Sequence, residues 1–191
     1  MKIKPETRKE EILRVAAKLF KEKGYSAVTM RDLAKAMGIK AASLYNHINS
    51  KQDILNTIVI SLAEQFTSQM KLIHASNDSC IDKLNRIIRL HVKISSQNSY
   101  GMACLNNDWM HLEEQLDYYK ELRANYENNF RTILEVGIAS GEIIHVNLDI
   151  LMFSILTTLR SLYVWIPKKD DLNLEELSDT LIRILIKGIN K

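Results

Sequence analysis

Only six glycines and two prolines occur in 191 residues, and Gly24, Gly38, Gly141 and Pro167 stand where runs of apolar residues at helical spacing break off. Sandwiches and barrels need such residues at each tight turn, whereas the abundant Leu, Ile, Lys, Glu and Ala favour helix. The chain is therefore expected to be all-α. Its 46% apolar content is ample for a packed core and excludes a disordered chain.

The spacing predicts a first helix over Thr7–Lys23, with Ile12, Val15, Ala16, Leu19 and Phe20 on one face and Gly24 as its left-handed stop. Thr29 caps a second, short helix, "MRDLAKAM", with Asp32 completing a capping box and Gly38 ending it. A third is expected over Lys40–His47, holding Ile39, Leu44 and Ile48 inward. Two short helices about a glycine-containing turn have the shape of a helix-turn-helix. Ser50 caps the next helix, with Asp53 at the reciprocal position. Its apolar residues Ile54, Leu55, Ile58, Leu62 and Phe66 run on without a break, so one continuous helix joins a small domain (1–52) to a larger one (53–191). Further helices are expected over Cys80–Gln97 and Glu113–Ser140, with a short helix and a loop between them. The last two fall at about 149–166 and 174–189.

Charge divides the chain along the same line. Residues 1–51 carry twelve Lys and Arg against five acids, a net of +7, within an overall charge of +3. A basic quarter on an acidic remainder fits a nucleic-acid-facing module on a body that faces something else. Cys80 and Cys104, far apart, are expected to be reduced thiols of a cytoplasmic protein. Glu10, Glu11, Arg14 and Lys18 interrupt the N-terminal stretch, so no export signal is expected. The run Leu148–Ile166 approaches membrane-spanning length, but Asp149 and Arg160 interrupt it and fit a buried helix instead.

The segment "TMRDLAKAMGIKAASLYNHINSKQDIL", residues 29–55, resembles the DNA-binding signature of the TetR family of bacterial transcriptional regulators. The matching set is Thr29, Leu33-Ala34, Gly38-Ile39, Ser43-Leu44-Tyr45, His47-Ile48, Ser50-Lys51 and Leu55. Ile48 stands where the family often has Phe. The resemblance extends over residues 7–66 and is architectural beyond them. It implies a near-palindromic double-stranded DNA operator, a homodimer, and a small-molecule effector that releases the DNA. No Gly-rich phosphate loop or metal-ligand spacing appears, so no cofactor and no metal are expected; no membrane partner is expected either, and the place of action is expected to be cytoplasmic and nucleoid-associated.

By that resemblance Thr29, Ser43, Tyr45, His47 and Lys51 touch the phosphate backbone, and Lys40, Ala41, Ala42 and Tyr45 approach base edges. The chemistry agrees. Hydroxyls, imidazoles and ammonium groups donate to phosphate oxygens, and lysine donates to guanine O6 or N7. Two alanines offer only apolar contact, for instance to a thymine methyl, so DNA shape must carry much of the specificity. Each residue also has a purely structural use: Thr29 as a cap, Tyr45 as cover for the domain's edge, His47 as packing.

In the larger domain, a penultimate helix apolar almost all round and a final stripe of Leu177, Leu181, Ile184, Leu185 and Ile189 point to homodimerisation through that pair. His91, Tyr100, Met102, Cys104, Trp109, Arg160 and Tyr163, with Met110, Tyr126, Phe153 and Trp165, are candidates for an effector pocket, and core packing explains them equally well. Arg160 needs a partner: Glu135 or another acid, or else an anionic ligand such as a carboxylate or acyl thioester. Cys104 with His91 or His111 has the makings of a nucleophile and base, but nothing orients them, and no enzyme is expected. The alternative to effector release is a regulator without a ligand, controlled by a protein partner or by oxidation of Cys104.

Overall fold

The computed structural model describes residues 6–187. These form α1 (Arg8–Lys23), α2 (Met30–Ala36), α3 (Ala41–Leu44), α4 (Lys51–Ala75), α5 (Cys80–Gln97), α6 (Ser99–Asn107), α7 (Leu116–Ser140), α8 (Leu148–Trp165) and α9 (Leu174–Leu185). Short 3-10 turns lie at Trp109–His111, Glu113–Gln115 and Ile166–Lys168, and no β-strand occurs among the described residues. The all-α expectation holds.

Local chemistry sets most boundaries. Thr7 and Thr29 each accept the N–H of the third helical residue, while the Glu10 and Asp32 carboxylates return to the cap N–H, closing two capping boxes. After α2, Gly38 at φ +66° lets its N–H reach the Lys35 carbonyl and the Ile39 N–H reach that of Ala34. This is a Schellman closure, which needs a left-handed residue at that point. Ser50 Oγ accepts the Asp53 N–H as expected, but the Asp53 carboxylate turns to the backbone N–H and side-chain amide of Asn49 instead of returning to Ser50.

Three boundaries differ from expectation, one of them the end of α9, which stops at Leu185 with Ile186 as its cap instead of running on to about 189. The third helix is a single turn, because the Leu44 carbonyl takes the N–H groups of both His47 and Ile48 and the chain leaves the helix through Tyr45–His47. The long seventh helix starts at Leu116, not Glu113, because Glu113 adopts φ +48°, which a right-handed helix does not incorporate. Of the final stripe, Ile189 lies outside the described residues.

The chain packs as two compact units. Among the described residues, one comprises 6–63 together with Tyr100–Tyr119, and the other comprises Glu64–Ser99 and 120–187. In the first, α1 packs on α2 and α2 on α3. Ile12, Phe20, Leu33, Leu44, Ile48, Ile54 and Leu55 are buried there, each contributing roughly 1.5–3 kcal/mol through lost apolar surface. In the second, α5 packs against α8 and α9, and Leu84, Ile87, Ile88, Phe130 and Leu159 are fully buried. The helix α4 runs unbroken through the division, as the continuous apolar spacing requires.

Candidate nucleic-acid interface and effector core

The Schellman turn delivers Lys40 as the residue preceding α3, with Leu44 and Ile48 buried beneath and Lys40, Ala42, Tyr45 and His47 exposed on the outer side. Ala41 and Ser43 are half-buried. Tyr45 keeps 55% of its surface in solvent, a large amphipathic ring with no aromatic neighbour among the described residues. The sequence-predicted DNA contacts on α3 and its exit turn are thus brought together on one short segment, held by two apolar anchors.

Thr29 and Lys51 are more committed. The Thr29 hydroxyl donates to Asp32 Oδ2 (2.6 Å) and accepts the Asp32 N–H (3.2 Å). The hydroxyl's bond to Oδ2, together with the Thr29 N–H donated to the same oxygen (2.9 Å), holds the Asp32 carboxyl below the usual carboxylate range. Lys51 Nζ donates to the Tyr25 carbonyl (3.0 Å) and lies 4.2 Å from the centre of the Tyr25 ring. An ammonium has three donors, so Lys51 retains two beyond that bond.

Tyr25 is the hub of this unit, and neither its role nor its partners were signalled by local sequence. Its hydroxyl donates to Gln52 Oε1 (2.7 Å), Phe20 meets it edge-on, and the His111 ring stacks on it at 5.1 Å. Gln52 in turn donates to the His111 carbonyl (2.6 Å). The start of α4 and the turn after α6 are tied to one aromatic ring. Of the effector-pocket candidates, Tyr100, Met102, Cys104 and Trp109 belong to this unit: Met102 and Cys104 are buried, Lys21 lies over the Tyr100 ring, and Trp109 stacks on Tyr119. Burial, with the charge of Asp108 and a bond to it, pushes the Cys104 thiol up to about 12. A buried thiol held protonated is a poor nucleophile and a poor redox sensor.

Met110 also belongs to the first unit and is exposed, whereas the remaining candidates belong to the second. His91 on α5 is buried, its Nε2 lies 2.8 Å from Tyr126 Oη on α7, and the Phe66 ring of α4 sits 4.7 Å away. Burial first, then the positive charge of Arg160, drives His91 down to about 3, so the imidazole is neutral. Burial raises Tyr126 above the ordinary phenol range. The partner of Arg160 is Glu127 (2.6 Å), not Glu135. Glu127 also accepts from Arg123 (3.0 Å). Two buried polar atoms beside this cluster, His91 Nδ1 and Ser95 Oγ, have no hydrogen-bond partner, a state that costs roughly 1–3 kcal/mol per group. Tyr163 is buried on α8.

On α8, Ile150, Phe153, Val164 and Trp165 are exposed, with Thr157 and Ser161 exposed between them. Ile150, Phe153, Thr157, Ser161 and Val164 follow one helical stripe, and Ile184 is exposed on α9. By length and composition α8 with its following turn would also span a membrane. Its opposite face, however, is buried against protein, and its Arg160 is paired to α7.

A helix-turn-helix held on an all-α body defines a DNA-binding transcriptional regulator. The family model for bacterial regulatory proteins of the tetR family matches residues 12–58, and that for the tetracyclin repressor-like C-terminal domain matches residues 77–189. The chain belongs to the TetR family, whose members are regulators and not enzymes. It is 29% identical over 136 residues, 70% of this chain and 67% of the relative, to the HTH-type transcriptional repressor KstR2 of Rhodococcus jostii. The TetR-family regulator PfmR of Thermus thermophilus superposes with a TM-score of 0.79 at 27% identity, over 94% of this chain and 99% of that one. KstR2 of Mycobacterium tuberculosis superposes with a TM-score of 0.89 at 21% identity, over 98% and 97%, a likeness of fold.

Proposed function

We propose that this TetR-family regulator is a repressor that grips a near-palindromic operator as a homodimer and is released by a small-molecule effector. Residues 1–52 act as the DNA-binding part and residues 53–191 as the effector and dimerisation part. The observation that carries the reading is the outer side of α3 and its exit turn, where Lys40, Ala42, Tyr45 and His47 are exposed above buried Leu44 and Ile48. Tyr45, His47, Ser43 and the spare donors of Lys51 bind phosphate oxygens, and Thr29 sets the angle of α2 through its cap. Lys40 reads a guanine edge, while Ala41 and Ala42 let the segment sit close to the groove floor.

The exposed stripe of α8 and Ile184 of α9 supply the dimer contact, which supports two recognition segments on one duplex. Such a repressor acts in the cytoplasm, on the nucleoid. Control by Cys104 oxidation is disfavoured by the burial and protonation of that thiol. Selection of bound duplexes from a random library tests the reading. Recovered sequences are expected to form an inverted repeat with half-site centres about 34–36 Å or more apart; recovery of unrelated or non-repeating sequences would contradict it.

A further inference from the structure

Within the second unit, α5 carries His91 and Ser95 one turn apart on the same face, 3% and 0% exposed. Each ends in a polar atom with no partner, His91 Nδ1 and Ser95 Oγ. Native interiors rarely leave such atoms unpaired, and two adjacent ones on one helix face call for a shared partner. The protonation pattern tells what that partner must offer. Tyr126 is buried, and among the described residues the hydrogen-bond partner of its hydroxyl is His91 Nε2 at 2.8 Å. If Nε2 carried the proton instead, both the phenol O–H and Nδ1 would be left unmade; with Tyr126 donating, only Nδ1–H seeks a partner. The ring is neutral, so Nδ1–H is a single uncharged donor beside the Ser95 hydroxyl.

We infer that His91 Nδ1–H and Ser95 Oγ–H form a two-donor subsite for the uncharged carbonyl oxygen of an apolar small molecule, with the Phe66 and Tyr126 rings flanking the His91 end. A carbonyl oxygen has two lone pairs and takes both donors at once. A carboxylate is excluded by the same burial that keeps the imidazole neutral, and the nearby cation, Arg160, already holds Glu127. The inference rests on the effector reading of this unit and adds the chemistry of the group recognised.

The test uses the full chain with cyclohexanone, 2-heptanone and 2-nonanone, each paired with the alkene in which =CH₂ replaces the carbonyl oxygen. At least one ketone is expected to bind tenfold or more tightly than its alkene, by calorimetry and thermal shift. Ser95→Ala removes an unpaired hydroxyl, so its melting temperature without ligand should match or exceed that of the parent. It is expected to lose several-fold of the ketone preference while keeping alkene affinity. The His91 Nδ1 proton should shift in the nuclear magnetic resonance spectrum on ketone binding. No ketone preferred over its alkene, an undiminished preference in Ser95→Ala, or a water contact at the Nδ1 proton that persists with every ketone would overturn the subsite. Ketone binding that meets these criteria without releasing DNA would uphold the subsite and overturn the effector reading instead.

Discussion

Arg160 on α8 and Arg123 on α7 donate to the same carboxylate oxygen of Glu127, at 2.6 and 3.0 Å. The guanidinium inside an otherwise apolar helix is thereby neutralised by a neighbouring helix, and with Arg131 of α7 donating to Asp149 of α8 (2.5 Å) the two helices are joined by ion pairs at two points. Burial alone would raise Glu127, but the bonds from the two arginines outweigh it and hold the carboxyl below its ordinary value.

Replacing Arg160 by Met is expected to destabilise the protein by about 1 kcal/mol at pH 7, discounted because both side chains are roughly a third exposed. A depressed folded pKa contributes stability above the unfolded value, about 4.3, and loses it as pH falls through the folded value. The gap between parent and Arg160→Met should therefore narrow on acidification to about pH 3. Urea denaturation at both pH values checks this, and an equal gap at each would contradict it.

Two glycines should resist substitution for different reasons. Gly38 has open space where a Cβ would stand but sits at φ +66°, so Gly38→Ala is expected to cost about 1 kcal/mol, from backbone strain alone, and to weaken DNA binding by tilting Lys40. A Cβ on Gly137 would fall 2.6 Å from Ile143 Cδ1 and 3.1 Å from Cys80 Cβ. Overpacking there is expected to cost roughly 1–3 kcal/mol with no change in DNA affinity per folded molecule. Thermal denaturation and operator titration together separate the two.

Phe153→Asp places a charge in the middle of the exposed α8 stripe. The variant is expected to sediment as a monomer and to lose at least about 100-fold in operator affinity, since a lone recognition segment grips one half-site. A Phe153→Asp protein that remains dimeric would remove this face from the interface.

Lys51→Met separates the residue's internal bond from its proposed phosphate contact. Loss of the bond to the Tyr25 carbonyl should lower thermal stability slightly. Loss of a phosphate contact should weaken binding to all DNA sequences alike and reduce the salt slope by about one. A changed melting temperature with an unchanged slope would make Lys51 structural only.

Much of this was legible because it is locally encoded. Thr29 with Asp32, Gly24, Gly38, Gly141 and Pro167 mark helix ends through neighbours within a few residues. Residues that sit far apart in sequence were not. Glu135 and Glu127 lie on the same helix, and which of them meets Arg160 is set by how α7 lies beside α8, a fact absent from either segment. Tyr25 and His111 are brought together only by the folded unit, and an unpartnered Ser95 looks like any helical serine. The spacing of Leu44 and Ile48 fits a two-turn recognition helix, but the single turn of α3 with its closing turn through Tyr45–His47 satisfies the same spacing.

The α3 face is proposed to hold the operator through phosphate contacts. Affinity for the selected duplex, measured by fluorescence anisotropy between 50 and 200 mM salt, tests it most directly. The account predicts a fall of roughly 10³-fold or more across that range for the parent protein, and a further loss in the Tyr45→Ala, Lys51→Met double variant with a shallower salt slope. An affinity indifferent to salt, or undiminished in the double variant, would contradict it.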